Sequence, residues 1–258
     1  AQVATLNAQI NALRNELAKL NQALEASEAK DIEQQAQIAE QQAQIAVLTA
    51  QDIPGRNDIS PVQANDDPIL AEGTIHFLGQ PVFAVAANTR ETARKACRLG
   101  RISCEPLPAI LDLEPALEQQ SFVAETHVMR RGDARKALAK ATHRLGGTIR
   151  TGGQDHFYLE GQVAMALPQE DGDMLVVSST QHPTEVQHAV AGALRLAHNA
   201  VTVEVRRMGG AFGGKETQAA QWAVLAALLA HATGRPVKLR LDRDEDMIST
   251  GKRHDFRI

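Results

Sequence analysis

The chain has 258 residues, a net charge of −4 and a pI near 6.2. That length allows one or two domains, and the mildly acidic balance gives no case for a nucleic-acid partner. Its two cysteines, Cys97 and Cys104, are too few for an iron–sulfur cluster held by four thiolates; the polar N-terminus is no signal peptide, and the longest apolar run, Trp222 to Ala230, is too short to cross a bilayer, so the plain reading is a soluble cytoplasmic protein.

Residues 1–50 are a different kind of sequence from the rest. No Gly or Pro occurs from Ala1 to Ile53, and Ala, Gln, Glu and Leu dominate. Val3, Leu6, Ile10, Leu13, Leu17, Leu20 and Leu24 step by three and four, which is an a/d seam. The same frame turns polar at Ser27, Asp31 and Gln34 and resumes at Ile38, Gln41, Ile45 and Leu48. The spacing predicts a coiled-coil-like helix of roughly 45 residues, about 70 Å long. Its leucine stripe needs cover, from a second copy, from another helix, or from the chain's own globular part.

Pro54, Gly55, Asn57, Pro61 and Pro68 mark residues 52–70 as loop. A strand is expected over Val82, Phe83, Val85 and Ala86. A helix over 89–100 follows, with Thr89 as N-cap and Gly100 at its end, and then a strand in RISCEPLPAIL interrupted by Pro106 and Pro108. Residues 51–125 read as a small α+β domain. Glu118 to Gly132 is a linker, and 133–143 is a helix with an acid at its start. Strand-like segments lie around Thr148, from His156 onward, and over 173–180. A helix with Pro183 near its start runs to 197. PVKLRLDR (236–243) is another strand, followed by an acidic turn.

The centre of the chain is Val201 to Gly234. Val201, Val203 and Val205 alternate with polar residues, the period of a strand, and Thr217–Gly234 is an Ala- and Leu-rich helix ending in glycine. Between them lie Gly209, Gly210, Gly213 and Gly214. A strand, a glycine loop and a helix start together let backbone N–H groups approach an anion or a cofactor closely. Gly209, Gly214 and Lys215 begin a phosphate-binding loop, but Glu216 stands where Ser or Thr must hold magnesium, so a triphosphate is rejected. Spacing alone leaves a simple packing turn equally open.

MGGAFGGKE (208–216), with GGQDHFYLEGQ (152–162), SSTQHPTEVQ (178–187) and LDRDEDMISTGKRH (241–254), resembles the molybdenum-binding subunits of the xanthine dehydrogenase type, in the wider molybdenum hydroxylase family. The resemblance covers about Val47 to Ile258. It implies a partial α/β hammerhead-like domain (51–125), then the first part of a molybdopterin-binding α+β domain (126–258); together with the long N-terminal heptad helix (1–50), which the resemblance does not reach, the expected fold class is α+β. It implies a molybdenum cofactor, with iron–sulfur clusters and FAD on a partner subunit passing electrons to NAD. The implied reaction hydroxylates a purine, hypoxanthine or xanthine, at a carbon beside a ring nitrogen. Gln154 and Phe212 are expected near the molybdenum, Gly210 and Gly213 in the cofactor-binding loop, and Glu216 on the purine, where aldehyde-oxidising relatives carry an apolar residue. The family's glutamate base falls downstream of Ile258, so no catalytic base is assigned, and the chain as given is expected to hold cofactor weakly or not at all. The alternative is a non-catalytic coiled-coil interaction protein that keeps a hydroxylase-like scaffold and self-associates through residues 1–50.

Other candidates fail on spacing. Asp242, Asp244 and Asp246 alternate like a calcium loop, but Met247 stands at the required glycine and Arg253 at the required glutamate. His182 and His188 are six apart, a poor fit to one helix face, and His156 beside Phe157 and Tyr158 reads as a packed histidine.

Overall fold

A computed structural model describes residues 19–35, 45–62 and 65–258. The chain divides into two compact units, one holding residues 1–47 and 85–99, the other 48–84 and 100–258.

Residues 19–35 (α1), which belong to the first unit, are helical and exposed throughout. Leu20 and Leu24 of the seam face solvent, at 67% and 58% exposure. The earlier seam positions, and Ile38 and Gln41, lie outside the described residues. The expected 45-residue helix is corrected at its far end. Leu48, the last seam position, lies buried in strand β1 (Ala46–Thr49). Val47 and Thr49 are β-branched and suit a strand better than a helix. A short 3₁₀ turn over Ala50–Asp52 follows. Strand β2 (Phe83–Ala86) forms where alternation placed it. Helix α2 (Arg90–Leu99) also forms as expected, with the Thr89 hydroxyl accepting the Thr92 N–H at 3.1 Å.

In the second unit the expected strand at 101–111 is absent: these residues are exposed and unpaired by any ladder. Pro106 and Pro108 lack N–H donors, which removes the bonds a ladder would need. A short helix α3 (Leu113–Glu118) ends where the expected linker begins. Helix α4 (Ala134–Lys140) starts where the acid predicted it, Asp133 accepting the Lys136 N–H at 2.9 Å. Strand β3 (Arg150–Thr151) pairs antiparallel with the terminal β8 (Phe256–Arg257).

The main sheet has the order β6-β5-β4-β7: β4 is Val163–Pro168, β5 Met174–Ser178, β6 Val201–Glu204 and β7 Val237–Arg240. β4 runs antiparallel to β5 and β7, and β5 parallel to β6. Helices α5 (Pro183–Leu194) and α6 (Gln218–Thr233) cover one face, burying Ala164, Ala166, Met174, Val176 and Val201. α6 buries every residue from Ala219 to Ala230, and its alanines let it lie close to the sheet. Gly234 ends it in the left-handed conformation that glycine adopts without steric cost. The loop over 52–70 is pinned onto α5: Gly55 N–H donates to Ala193 O at 2.8 Å.

On its opposite face the sheet turns Met165, Leu167, Leu175 and Val177 into an open trough of about 740 Å3, bordered by Arg206, Arg207 and Lys238. The expected acidic turn after β7 is corrected to a helix, α7 (Arg243–Ser249). Glu245 accepts the Asp242 N–H at 2.9 Å, closing the helix start in the manner of a capping box. Among the described residues no helix is long and apolar enough to cross a membrane.

Candidate functional site

The four long motifs, far apart in sequence, meet around the glycine loop. Residues 154–162 run beside it as a segment without a ladder, which is why β4 begins at Val163 and not near His156. Tyr158, Glu160 and Gln162 alternate, and all three reach the loop or its supports.

Glu160 closes the loop at its base. Its Oε2 accepts the Gly209 N–H (2.8 Å), the Ser179 hydroxyl (2.7 Å) and the Lys215 ammonium (3.1 Å), so one oxygen ties both ends of the loop. Gly209 is required at this position: a Cβ would stand 2.7 Å from that of Glu160. Lys215 is fully buried, its Nζ also donating to Ser179 Oγ at 2.9 Å and lying 4.9 Å from the Tyr158 ring centre. The side chain therefore points into the protein, and the phosphate-lysine role is closed to it. Burial pushes the Lys215 ammonium below its ordinary value, and Glu160 pulls it part of the way back. Burial raises the Glu160 carboxyl, but the bonds from Gly209, Ser179 and Lys215 outweigh it and leave it below the usual glutamate range.

A second buried chain of bonds anchors the loop's far side to α7. The Gln162 amide donates to Gly214 O (3.0 Å) and to Tyr158 Oη (2.9 Å), and Tyr158 donates to Asp246 Oδ1 (2.6 Å). Asp246 Oδ2 takes the Gln162 N–H at 2.7 Å. Burial and the Asp246 carboxylate together hold the Tyr158 phenol far above its ordinary value, so it stays a donor. Arg243 reinforces the same junction, donating to the Tyr158 and Leu159 carbonyls at 2.7 and 2.8 Å.

Of the predicted site residues, the loop carries four. Gly210 and Gly213 have φ of 99° and 92°, a region that glycine reaches freely. Phe212 also lies at positive φ, 53°, which is uncommon for a bulky residue and marks a held conformation. Its ring is 76% exposed. Glu216 is exposed, on the turn before α6 rather than within the helix. Gln154 is exposed and forms an isolated bridge with Arg253, each N–H donating to the other's carbonyl at 3.0 Å. Among the described residues no hydrogen bond joins Gln154 to the loop. The neighbouring His156 does touch it, packing where a Cβ on Gly214 would stand 2.7 Å away. His182 pairs with Glu185 at 2.8 Å, and the rings of His188 and His198 stack at 4.2 Å. No group of three His, Cys, Asp or Glu residues among the described ones is arranged to hold a metal.

Glu160, Gln181, Lys215 and Asp246 are the site residues that the sequence left unassigned. The period-two run Tyr158, Glu160, Gln162 was the one available signal, since such alternation puts three polar side chains on one side of an extended segment.

The loop fits an anionic or oxygen-rich group. Among the described residues the N–H groups of Gly210, Ala211 and Phe212 have no acceptor, three successive donors beside an exposed aromatic ring. The exposed Glu216, at the end of the loop, adds a carboxylate acceptor.

The network also gives the site an acid limit. The Glu160 pKa is depressed on folding, so its contribution to stability is complete above the ordinary value of about 4.5 and is lost as pH falls through the lower folded value. Urea midpoints measured against pH should fall less steeply in Glu160→Gln than in the parent; parallel curves would sink this assignment. Burial raises the carboxyls of Asp58 and Asp155, but their hydrogen bonds outweigh it and hold both low, so they add to the same acid dependence.

The molybdopterin cofactor-binding domain family matches residues 117–258, and the a/b hammerhead domain of aldehyde oxidase and xanthine dehydrogenase matches 25–108. A xanthine dehydrogenase/oxidase of Gallus gallus is 41% identical over 210 residues, covering 81% of this chain and 15% of that protein. A xanthine dehydrogenase of Dictyostelium discoideum is 40% identical over 209 residues, again 81% and 15%. This chain therefore spans about one seventh of the length of these relatives. The aldehyde oxidoreductase from Desulfovibrio gigas superposes with a TM-score of 0.69 at 26% identity, covering 82% of this chain and 25% of that one. Quinoline 2-oxidoreductase from Pseudomonas putida 86 gives 0.66 at 25%, covering 81% and 29%. The cofactor-domain match alone takes in more than half of the chain, and it falls on the residues that build and anchor the glycine loop: the chain belongs to the molybdenum hydroxylase family.

Proposed function

We propose that this chain supplies the glycine-loop side of a molybdenum cofactor site in a purine hydroxylase of the xanthine dehydrogenase type. The observation that carries the reading is the outward presentation of Phe212 and Glu216 while Lys215 between them is buried. The cofactor supplies the redox chemistry when bound. Gly210, Ala211 and Phe212 offer backbone donors to its oxygens, and Gln154 offers a side-chain amide. Phe212 presents a flat apolar wall against which an aromatic ring stacks. Glu216 accepts from a purine N–H, or donates to a ring nitrogen when protonated, and so orients the ring. A partner polypeptide would hold iron–sulfur and FAD groups able to accept the electrons, in the cytoplasm, and further polypeptide would complete the site and supply the base.

The test is co-expression with the FAD and iron–sulfur polypeptide in cells that make molybdenum cofactor. Molybdenum and pterin are expected to copurify with the assembly, and purine oxidation with them. Glu216→Leu should lower kcat/KM for the purine on the order of a hundredfold, the scale of a lost charged hydrogen bond, while sparing aldehydes. An assembly without molybdenum, or an unchanged purine-to-aldehyde ratio in Glu216→Leu, would overturn the reading. The exposed Leu20 and Leu24 favour a second role for residues 19–35, as a helix that pairs with another.

A further inference from the structure

The segment Ser179-Thr180-Gln181, just after β5, has no role in the proposed function, yet it binds the glycine loop at several points. Ser179 Oγ joins Glu160 and Lys215. Thr180 Oγ1 donates to Lys215 O at 3.2 Å, and the Gln181 N–H donates to the same oxygen at 2.9 Å. The Gln181 side chain then turns back: its Oε1 accepts the Gly213 N–H at 3.1 Å and the Lys215 N–H at 3.3 Å. Both partners are donors, so the carboxamide oxygen must face them. Gln181 is thus bound to the loop on both sides of Gly214, directly after Phe212.

We infer that Gln181 is a positioning residue that holds Phe212 and Glu216 in their outward arrangement. This rests on the cofactor reading for its purpose but not for its geometry. Phe212 occupies a left-handed conformation that its own side chain disfavours, and its ring is mostly in solvent. The ring's own packing therefore does little to keep the backbone there. The restraint comes from the neighbouring backbone, and the Gly213 N–H has Gln181 as its partner. Glu160 and Lys215 fix where the loop begins and ends, and Gln181 fixes the turn between. Because Gln181 itself is exposed, its replacement removes the restraint without opening the core.

The experiment compares Gln181→Met, which keeps length and loses the acceptor, with Gln181→Glu, which keeps an acceptor oxygen. Hydrogen exchange is followed by mass spectrometry on the 258-residue chain, with no cofactor needed. Exchange at 209–216 should accelerate roughly tenfold or more in Gln181→Met, the scale of two lost hydrogen bonds, and return toward the parent rate in Gln181→Glu. Peptides from α6 and β5 should be unchanged in both. Unchanged exchange at the loop, equal acceleration in both variants, or acceleration spread evenly through α6 would overturn the proposal. Pterin content of the co-expressed assembly is the second readout: it should fall in Gln181→Met and recover in Gln181→Glu. Parent-like pterin in Gln181→Met would overturn the positioning role. An assembly of the parent chain without pterin would instead refute the cofactor reading, leaving the exchange comparison to decide Gln181.

Discussion

Replacing Asp246 by Ala should cost the second unit about 3–5 kcal/mol, the scale expected when a buried charged acceptor is removed from its donors. Asp246 is 2% exposed. Its carboxylate takes Tyr158 Oη, the Gln162 N–H and, at 3.3 Å, Thr250 Oγ1. These donors lie in the interior: Tyr158 is 2% exposed and Gln162 is fully buried. Tyr158→Phe removes one donor to Asp246 and the acceptor of one Gln162 amide N–H, but leaves the carboxylate its other donors, so it should cost about 1.5–3 kcal/mol. Thermal melts of the two variants give the comparison. Equal losses would mean that Asp246 matters only through Tyr158, and that its bonds to Gln162 and Thr250 do nothing to anchor α7.

Glu160→Leu should cost about 3 kcal/mol, the low end for a broken buried ion pair because about a third of the Glu160 side chain is exposed. It strands the Lys215 ammonium with Ser179 Oγ and the face of Tyr158, and it leaves the Gly209 N–H without its acceptor. A fall in Tm of about 6–12 °C corresponds to that loss in a unit of this size. Adding Lys215→Met should restore most of it, since the stranded charge and not the lost attraction carries the penalty. If the double variant melts no higher than Glu160→Leu, Lys215 is not held as a buried cation and the loop closure has another basis.

The elements that the sequence made legible are those with an unbroken local pattern. The strand, glycine loop and helix of 201–234 appear at the expected places because alternating valines, clustered glycines and an Ala-Leu run ending at Gly234 are each local signals. Thr89 and Asp133 mark their helices for the same reason. The misreadings arise where one signal overrode another. The Ile and Leu residues of 101–111 look like a strand until the two prolines are counted as missing donors. Arg243–Ser249 looks like an acidic turn, but Asp242 and Glu245 are a capping pair and Asp246 is a buried anchor. The seam counted Leu48 because it fell in frame, although its β-branched neighbours belong to a strand. In the site, the exposed residues stood out by their place in the motifs. Their supports did not, because Glu160 and Lys215, or Tyr158 and Asp246, are partners across 55 and 88 positions of chain, beyond the reach of any periodicity.

That 88-residue span between Tyr158 and Asp246 sets an order of events during synthesis. At roughly 5–20 residues per second, the ribosome delivers Asp246 about 4–18 s after Tyr158. The glycine loop emerges inside that interval, after Glu160 and Gln181 but before the aspartate that locks the tyrosine and glutamine beneath it. A nascent chain therefore holds its loop closed at the base while the floor is still open. Loading of any cofactor belongs after translation of α7, and a pause before residue 246 would leave polar groups without their partner in a half-built core.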